Sequence, residues 1–513
     1  MRTEKSIKNA LVAIISNIVL IIIGFISQYV FKNTLGQDYL GLNGLFTSIV
    51  SMLGIVELGL GTALIYHLYK PVAENDIEKV KALMHFYRTS YRIIAGIIII
   101  AGMILMPFLK FFIDTTLDLN FHYIFGLFVI ESAFSYLLSY KRSILYANQE
   151  NYIVNIIHIL YVLSMNIVQI LILIYTKNYL LYLWIKIIFR IIENIAVTIV
   201  ANKRYPYINV SSNNRIDNNT RNDIIIKVKG LFIHKIGSYL VLGTDNIIIS
   251  KYLTLAVVGM YTSYSMITSG IKNFFSQIFY SITASVGNLL VLDKNKAYDV
   301  YKDMLFMNFW LSGICSISFY IISKPFVTLW LGNDFVLTKS AVAALMVNLY
   351  FDTYGYTIGA FKSAAGIFHE DRWIPAFQSL INITVSIIMV QICGLAGVII
   401  GTIVSQMLLY LYSYPVLVYK KLFNKNTKDF FLETIKYFSV YILTFLVTLI
   451  ITRVATIHII ILQLLINALV CLIIPNLLFF LFFHSTSEFD YFKRLIINKL
   501  SILQNKKRLN LKK

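Results

Sequence analysis

Residues 242–264 read LGTDNIIISKYLTLAVVGMYTSY and place Asp245 and Asn246 inside a run that is otherwise apolar enough to cross a membrane. The stretch holds the end of one apolar segment, a break near Lys251 and the start of the next segment. A carboxylate within a membrane span costs a few kcal/mol on insertion scales. We therefore interpret Asp245 as an acid that either binds a coupling ion or bridges to a neighbouring helix.

The composition is that of an integral membrane protein. Of the 513 residues, 58% are apolar and 14% are charged, and the mean hydropathy is +0.72. Apolar runs of about 20 residues, the length of a spanning helix, follow one another along the chain. Lipid offers no hydrogen bonds to the backbone, so such runs are predicted to be helices. Cys315, Cys393 and Cys471 lack the paired spacing of a disulfide framework or metal site.

The apolar runs predict an all-α polytopic membrane protein with about fourteen transmembrane helices. The predicted spans are 7–30, 40–68, 86–112, 120–146, 152–176, 179–201, 231–252, 257–290, 300–324, 337–364, 373–393, 395–419, 430–452 and 456–483.

The distribution of positive charge predicts that both termini are cytoplasmic, because Lys and Arg accumulate in cytoplasmic loops. The chain has 45 Lys and Arg residues and a net charge of +20. With the N-terminus inside, most of these cations fall on the cytoplasmic side, where they face anionic lipid headgroups rather than nucleic acid. The cations in external loops are Lys32, Lys110, Lys177, Lys251, Lys324, Lys339 and Arg453, and those within spans are Lys186, Arg190, Lys235 and Lys272.

An internal repeat at an offset of about 220 residues divides the chain into two halves of six spans. Because six is even, both halves enter the membrane in the same orientation, as a parallel repeat. The matched pairs are Leu35 and Leu253, Gly41 and Gly259, Glu131 and Asp352, Arg142 and Lys362, and Glu150-Asn151 and Glu370-Asp371. The predicted domains are an N-terminal bundle (1–205), a cytoplasmic linker (206–230), a C-terminal bundle (231–425), two extra helices (426–484) and a basic cytoplasmic tail (485–513).

Several motifs resemble those of the polysaccharide flippases of the multidrug/oligosaccharidyl-lipid/polysaccharide exporter superfamily. They are LGQDYLGLNGLFTSIVSMLGIVELGLGTAL (35–64), LGTDNIIISKYLTLAVVGMYTSY (242–264), GLAGVIIGTIVSQ (394–406) and the segment 191–207. The resemblance implies fourteen spans arranged as 6+6+2 in a MATE-like fold. It also implies alternating-access export of a lipid-linked oligosaccharide of the undecaprenyl-pyrophosphate type, for capsule, O-antigen or exopolysaccharide synthesis. No catalysis is expected, and the location implied is the bacterial cytoplasmic membrane.

The partners expected from this resemblance are the lipid-linked oligosaccharide itself and, beyond it, a polysaccharide polymerase with its export machinery. Anionic lipids are expected at the cytoplasmic face. No cofactor is expected, although H⁺ or Na⁺ could couple to transport through buried carboxylates.

The cations within the spans are the candidate cargo-binding residues. Lys186, Arg190 and Glu193 share one face of the sixth span at spacings i, i+4 and i+7. That face either lines a cavity and donates to phosphate, or forms an ion pair that holds helices together. Lys272 lies near the middle of the eighth span and is the strongest single cavity candidate. Lys235 lies near a cytoplasmic end, where it lines the cavity or extends to the interface.

Four acids within the spans are candidates for ion coupling or helix bridging: Glu57, Glu131, Asp245 and Asp352. Glu131 and Asp352 match in the repeat, which predicts a common structural duty. Glu57 and Lys272 lie at similar depths and are expected to pair, and Asn246 is expected to satisfy Asp245.

Two other functions remain open at the level of sequence. A cation-coupled multidrug antiporter would share the fold, but its cavity is expected to be acidic or aromatic. A membrane polysaccharide polymerase or glycosyltransferase is expected to carry a sizeable external loop, whereas the longest predicted loop here is cytoplasmic.

Overall fold

The computed structural model describes residues 2–57, 60–113, 117–209, 216–367 and 370–494, with side chains from Asn17 onward and only some of those in 218–242. All regular secondary structure in these residues is helical, which confirms the predicted all-α fold class. The helices of the first half are α1 (Arg2–Leu35), α2 (Gln37–Leu53), α3 (Leu60–Ala73), α4 (Ile77–Leu105), α5 (Leu109–Phe112), α6 (Phe121–Leu137), α7 (Tyr140–Ala147), α8 (Asn151–Thr176) and α9 (Tyr179–Arg204). Those of the second half are α10 (Asn218–Tyr252), α11 (Leu255–Tyr280), α12 (Thr283–Leu292), α13 (Lys294–Leu331), α14 (Lys339–Ala364), α15 (Ile374–Cys393), α16 (Leu395–Leu408), α17 (Thr427–Val454) and α18 (Ile460–Phe483).

Each predicted span coincides with one helix or with two consecutive helices. Within the described residues, ten helical stretches are long and apolar enough to cross a membrane, or eleven if the bent pair α6 and α7 counts as one span. Helices α9 and α14 are long enough but more polar: α9 carries Lys186, Arg190 and Glu193, and α14 interrupts its apolar residues with Asn348 and Asp352. The chain is therefore a multi-pass membrane protein, while the count of fourteen spans stays a prediction.

Several predicted spans are interrupted in the structure. The span at 40–68 divides into α2, a 3₁₀ turn at Gly54–Glu57, and α3. The span at 120–146 bends by 42° between α6 and α7. At this bend the Ser139 hydroxyl donates to the carbonyl of Ser135. Hydropathy counts the apolar residues on both sides of a break as one run, so only the backbone reveals these interruptions.

The described residues form two compact units, one comprising Met1–Tyr264 with Pro375–Val398, and the other Ser265–Ile374 with Ile399–Lys513. The predicted domain boundaries follow the sequence repeat and stay a prediction. In the first unit, α1 packs on α8, α6 packs between α4 and α9, and α2 packs on α10.

The second unit has an aromatic core in which α14 packs against α13. Tyr350 of α14 is buried and stacks on Tyr441 of α17 with ring centroids 4.1 Å apart. Phe309 of α13 stacks on Tyr437 at 4.5 Å. Such pairs contribute about 0.5 to 1.5 kcal/mol each beyond their buried area.

The repeat is visible as a reciprocal contact between the starts of α2 and α11. A Cβ placed on Gly41 would lie 1.8 Å from the carbonyl oxygen of Leu255, and one placed on Gly259 would lie 2.8 Å from that of Gln37. Gln37 and Leu255 are themselves repeat equivalents. The two segments therefore approach each other around a local pseudo-twofold axis, and only glycine leaves room for the crossing.

Two salt bridges also repeat. Glu150, which precedes α8, accepts from Arg204 at the end of α9 at 3.0 Å. Its repeat equivalent Glu370 is paired with Lys421, at the end of the helical segment that continues α16. Each half thus ties the loop after its fourth predicted span to the end of its sixth.

Candidate functional site

Charged side chains from four helices meet in the first unit, and we call them the N-terminal charge cluster. They are Glu131 of α6, Arg142 of α7, His158 of α8, and Lys186, Arg190 and Glu193 of α9. Glu131 precedes the bend between α6 and α7 and Arg142 follows it, more than two helical turns further along the sequence. Both side chains nevertheless contact residues of α9.

Arg190 is the centre of the cluster. Its Nε donates to Glu131 Oε1 at 2.8 Å and its Nη1 donates to Glu193 Oε2 at 2.7 Å. Its guanidinium also lies 4.8 Å from the ring centroid of Tyr161. Charge-assisted bonds of this length are the strong class of hydrogen bond. Arg190 therefore ties α9 to α6.

Glu193 is the most buried acid of the cluster, with a side chain 1% exposed. Besides Arg190, the Glu193 carboxylate is contacted by Arg142 Nη2 at 3.2 Å and by His158 Nδ1 at 2.9 Å. The neighbouring Asn194 accepts from Arg142 and donates to the carbonyl of Phe134. A carboxylate this deep is tolerated because cations surround it.

The cations of the cluster are more exposed than its acids. The side chains of Arg142, Lys186 and Arg190 are 21%, 24% and 19% exposed, against 11% for Glu131 and 1% for Glu193. Counting only the Lys, Arg and Glu side chains of the cluster, three cations face two carboxylates. The cluster thus presents positive donors at its accessible side.

Lys186 is held more loosely than Arg190. Its Nζ lies 3.6 Å from Glu131 Oε2 and 5.0 Å from the ring centroid of Phe128. An ammonium has three donors, so Lys186 has the capacity to donate to a further anion without leaving Glu131.

A second group, the C-terminal charge cluster, lies in the second unit and consists of Lys272, Asn348, Asp352 and Gln406. Lys272 Nζ lies 2.5 Å from Asp352 Oδ2, and Asn348 and Gln406 also donate to this carboxylate. The expected partner of Lys272 was Glu57, and that expectation is corrected: an acid on α14 already holds the ammonium. Glu131 and Asp352, matched in the repeat, both bridge helices through salt bridges.

Asp245 is 8% exposed and accepts from the hydroxyl of Tyr261 on α11 at 2.8 Å. The expectation that Asn246 satisfies Asp245 is corrected. Successive helical residues point in different directions, and Asn246 donates instead to Ser48 of α2 at 2.8 Å.

Of the remaining candidates, Glu57 forms no salt bridge with a described residue. Glu57 lies in the 3₁₀ turn after α2, and its carboxylate is 2.7 Å from where a Cβ on Gly61 would stand. Lys235 belongs to α10, but its side chain lies outside the described residues. Among the side chains that the structure describes, no group of three or more His, Cys, Asp or Glu is arranged to hold a metal ion.

Four members of these clusters were missed at the level of sequence: Arg142 and His158 in one, and Asn348 and Gln406 in the other. Arg142 had a signal, because it matches Lys362 in the repeat. His158 and Gln406 had none, since each is one of several polar residues in an apolar helix and its partner is on another helix.

The Lys272 and Asp352 pair is expected to contribute measurably to stability. We expect a double-mutant cycle of Lys272→Ala and Asp352→Ala, read by unfolding of the purified protein, to give a coupling energy of about 1 to 3 kcal/mol. The exposed pair Lys70 and Glu74, 80% and 59% exposed at 3.9 Å, is the control and should give about 0.5 kcal/mol or less. Equal coupling in the two cycles would contradict a buried bridge.

Solved transporter structures share this fold. The lipid II flippase MurJ in an inward closed conformation aligns over 93% of this chain and 99% of its own, with a TM-score of 0.65 and 13% identity. An inward-facing multidrug resistance MATE family transporter of the MOP superfamily aligns over 79% of this chain and 96% of its own, with a TM-score of 0.61 and 14% identity. An outward-facing multidrug resistance MATE family transporter aligns over 80% of this chain and 94% of its own, with a TM-score of 0.52 and 14% identity.

The sequence matches no protein-family model and no curated protein. The structural likeness confirms the expected MATE-like fold. Because one fold hosts different activities, function has to be argued from the residues.

Proposed function

We propose that this protein is a transporter that flips a lipid-linked oligosaccharide, of the undecaprenyl-pyrophosphate type, from the cytoplasmic to the outer leaflet. The observation that carries the proposal is the N-terminal charge cluster, whose acids are buried and whose cations are the more accessible groups. A cluster with surplus positive charge inside a membrane bundle suits an anionic headgroup and repels a cationic one.

Phosphate chemistry fits the donors. Arg142 has an Nε that is buried and has no hydrogen-bond partner in the described residues, and Lys186 retains spare donor capacity. A pyrophosphate offers many acceptor oxygens, to which guanidinium and ammonium groups donate charge-assisted bonds. Arg190 contributes less directly, because its donors already serve Glu131 and Glu193, and its role is to hold the cluster together.

The state of the acids argues against a multidrug cation antiporter. Glu131 and Glu193 are surrounded by cations, and Asp352 is occupied by Lys272. An organic cation that binds at these carboxylates would have to displace the lysine or arginine side chain that already occupies each of them. The lipid II flippase among the structures of the same fold is compatible with a lipid-linked cargo here.

Transport in this scheme needs no covalent step. The headgroup binds the accessible cations from the cytoplasmic side while its lipid chain remains in the bilayer, and a change between two states releases it outside. A ligand shifts such an equilibrium only through its different affinity for the two states. We assign Asp245 as the first candidate for H⁺ or Na⁺ coupling, because it is a buried carboxylate that accepts from the hydroxyl of Tyr261.

The proposal places the chain in the bacterial cytoplasmic membrane, with both termini inside and with anionic lipids around its basic cytoplasmic rim. It would supply a polysaccharide polymerase and export machinery with substrate for capsule, O-antigen or exopolysaccharide.

A deletion strain tests the proposal directly. We expect lipid-linked oligosaccharide to accumulate on the cytoplasmic leaflet and surface polysaccharide to fall. Complementation with Lys186→Gln should restore less than about a tenth of wild-type export at equal abundance, since a lost charge contact costs more than 1.4 kcal/mol, or tenfold.

Lys177→Gln is the matched control, because Lys177 lies in the loop between α8 and α9, outside the cluster. It should export at the wild-type rate. Unchanged surface polysaccharide in the deletion strain, together with new sensitivity to cationic drugs, would refute the proposal in favour of the antiporter.

A further inference from the structure

A buried ammonium outside both clusters has no acidic partner in the part of the chain that the structure describes. Lys141 of α7 is 4% exposed, and its Nζ donates to the amide oxygens of Asn202 at 2.7 Å and Asn209 at 2.8 Å. Among the described residues, no carboxylate lies within 4 Å of this Nζ. Burying an unpaired charge is costly, and amide oxygens carry only partial charge. The described residues therefore supply hydrogen-bond acceptors for this ammonium but no counter-ion.

Two arginines of α4 add to the positive charge at this place. Arg88 and Arg92 are exposed and one helical turn apart. Arg88 is close enough to act electrostatically on Lys141 and Tyr140, and Arg92 acts on Tyr140. Neither arginine has a salt bridge within the described part of the chain. Cations that gather without acids are typical of a site for an anion.

The position of these residues indicates which anion. Lys141 lies six residues before the end of α7, and Asn202 and Asn209 flank the end of α9. Both helix ends are cytoplasmic in the predicted topology, so the site lies at the depth of the lipid headgroups. Phosphate is the anion of that layer.

The repeat shows that the fold itself does not require a cation here. Arg142 matches Lys362, so Lys141 matches Phe361, a fully buried apolar residue of α14. The same position is therefore filled by an aromatic ring in one half and by an ammonium in the other.

We propose that Lys141, Arg88 and Arg92 bind the phosphate group of a lipid at the cytoplasmic end of the first unit. Lys141 neutralises the phosphate from inside the helix bundle, and the two guanidinium groups close over it from α4. None of these residues belongs to either charge cluster, so binding here is separable from the transport activity proposed above.

The test is ligand-dependent thermal stability of the full-length protein purified in an uncharged detergent. A ligand that binds only the folded state raises the melting temperature with its concentration. We expect phosphatidylglycerol to stabilise the wild type and phosphatidylcholine not to. The double variant Arg88→Gln/Arg92→Gln should weaken the apparent affinity for phosphatidylglycerol at least tenfold, and because both side chains are exposed it should fold normally.

Lys203→Gln is the matched control. Lys203 is exposed at the same end of α9, and its side chain forms no hydrogen bond or salt bridge with a described residue, so its loss should leave the affinity unchanged. Lys141→Met should also abolish stabilisation by phosphatidylglycerol, while the unliganded protein loses little, since an uncompensated charge is replaced by a side chain of similar volume.

The source of the phosphate follows from competing probes. Equal stabilisation by phosphatidylglycerol and a polyprenyl phosphate supports a site for membrane lipid in general. Tenfold tighter binding of the polyprenyl phosphate supports a site for the cargo's class of lipid, and equal binding of inorganic pyrophosphate supports recognition of phosphate alone. Stabilisation by phosphatidylcholine, or equal losses in Lys203→Gln and the arginine double variant, would overturn the proposal.

Discussion

Arg190→Ala is expected to destabilise the folded protein by about 3 to 5 kcal/mol, the usual cost of removing one partner from a buried ion pair. The change removes the Arg190 Nε that donates to Glu131 and the Arg190 Nη1 that donates to Glu193. The Glu193 side chain is 1% exposed, so solvent does not replace the lost donor. We expect low abundance in the membrane and a lower melting temperature in detergent. Export should fall in proportion to the amount of protein in the membrane, and not by more.

A triple variant separates this structural role from transport. Arg190→Met with Glu131→Gln and Glu193→Gln removes the Arg190 charge together with the two carboxylates that it contacts, and replacing a whole buried ion pair by neutral groups is often tolerated. We expect it to recover part of the stability lost in Arg190→Ala, since Arg142 and Lys186 keep their charges, without recovering export. If Arg190→Ala were as stable as the wild type, Arg190 would not be the centre of the cluster.

Gly41→Ala is the second change with a large expected effect. The new Cβ would lie 1.8 Å from the carbonyl oxygen and 2.5 Å from the carbonyl carbon of Leu255. These are backbone atoms, so relief requires α2 and α11 to move apart. We expect a loss of at least about 3 kcal/mol, at the upper end of overpacking costs, as a fall in melting temperature and membrane abundance.

Gly96→Ala is the control for this change. Gly96 also lies in a helix, α4, but nothing stands within 4 Å of its Cβ position. Because alanine favours helix over glycine, the variant is expected to gain up to about 1 kcal/mol. Gly259→Ala, whose Cβ would meet the Gln37 carbonyl oxygen at 2.8 Å, should behave like Gly41→Ala. If Gly41→Ala and Gly259→Ala were both as stable as the wild type, the close contact between the starts of α2 and α11 would be contradicted.

Most of the helical arrangement was predictable, because the hydropathy of a 20-residue run depends only on composition. The breaks were not: the turn at Gly54–Glu57 and the 42° bend after α6 lie within stretches that hydropathy predicts as single spans. The repeat was predictable as weak coincidences at one offset. Its physical meaning emerged only when Gly41 and Gly259 were found in contact.

The site divides in the same way. The cost of burying charge singled out Lys186, Arg190, Lys272, Glu131 and Asp352 in advance. Their partners could not be read from the chain, because each partner lies on another helix, and Lys272 pairs with Asp352 instead of Glu57. Spacing on α9 suggested that Lys186, Arg190 and Glu193 share a face, but not that Arg142 and His158 complete it.

The sequence by itself determined that the chain is an all-helical membrane protein with a twofold repeat and rare charges inside its spans. Those properties follow from composition and periodicity, which are local. Only the tertiary structure decided which charges neutralise one another, which remain in surplus and where glycine is indispensable. These depend on distances of a few ångströms between residues far apart in sequence: Asp245 meets Tyr261 while its neighbour Asn246 turns to Ser48.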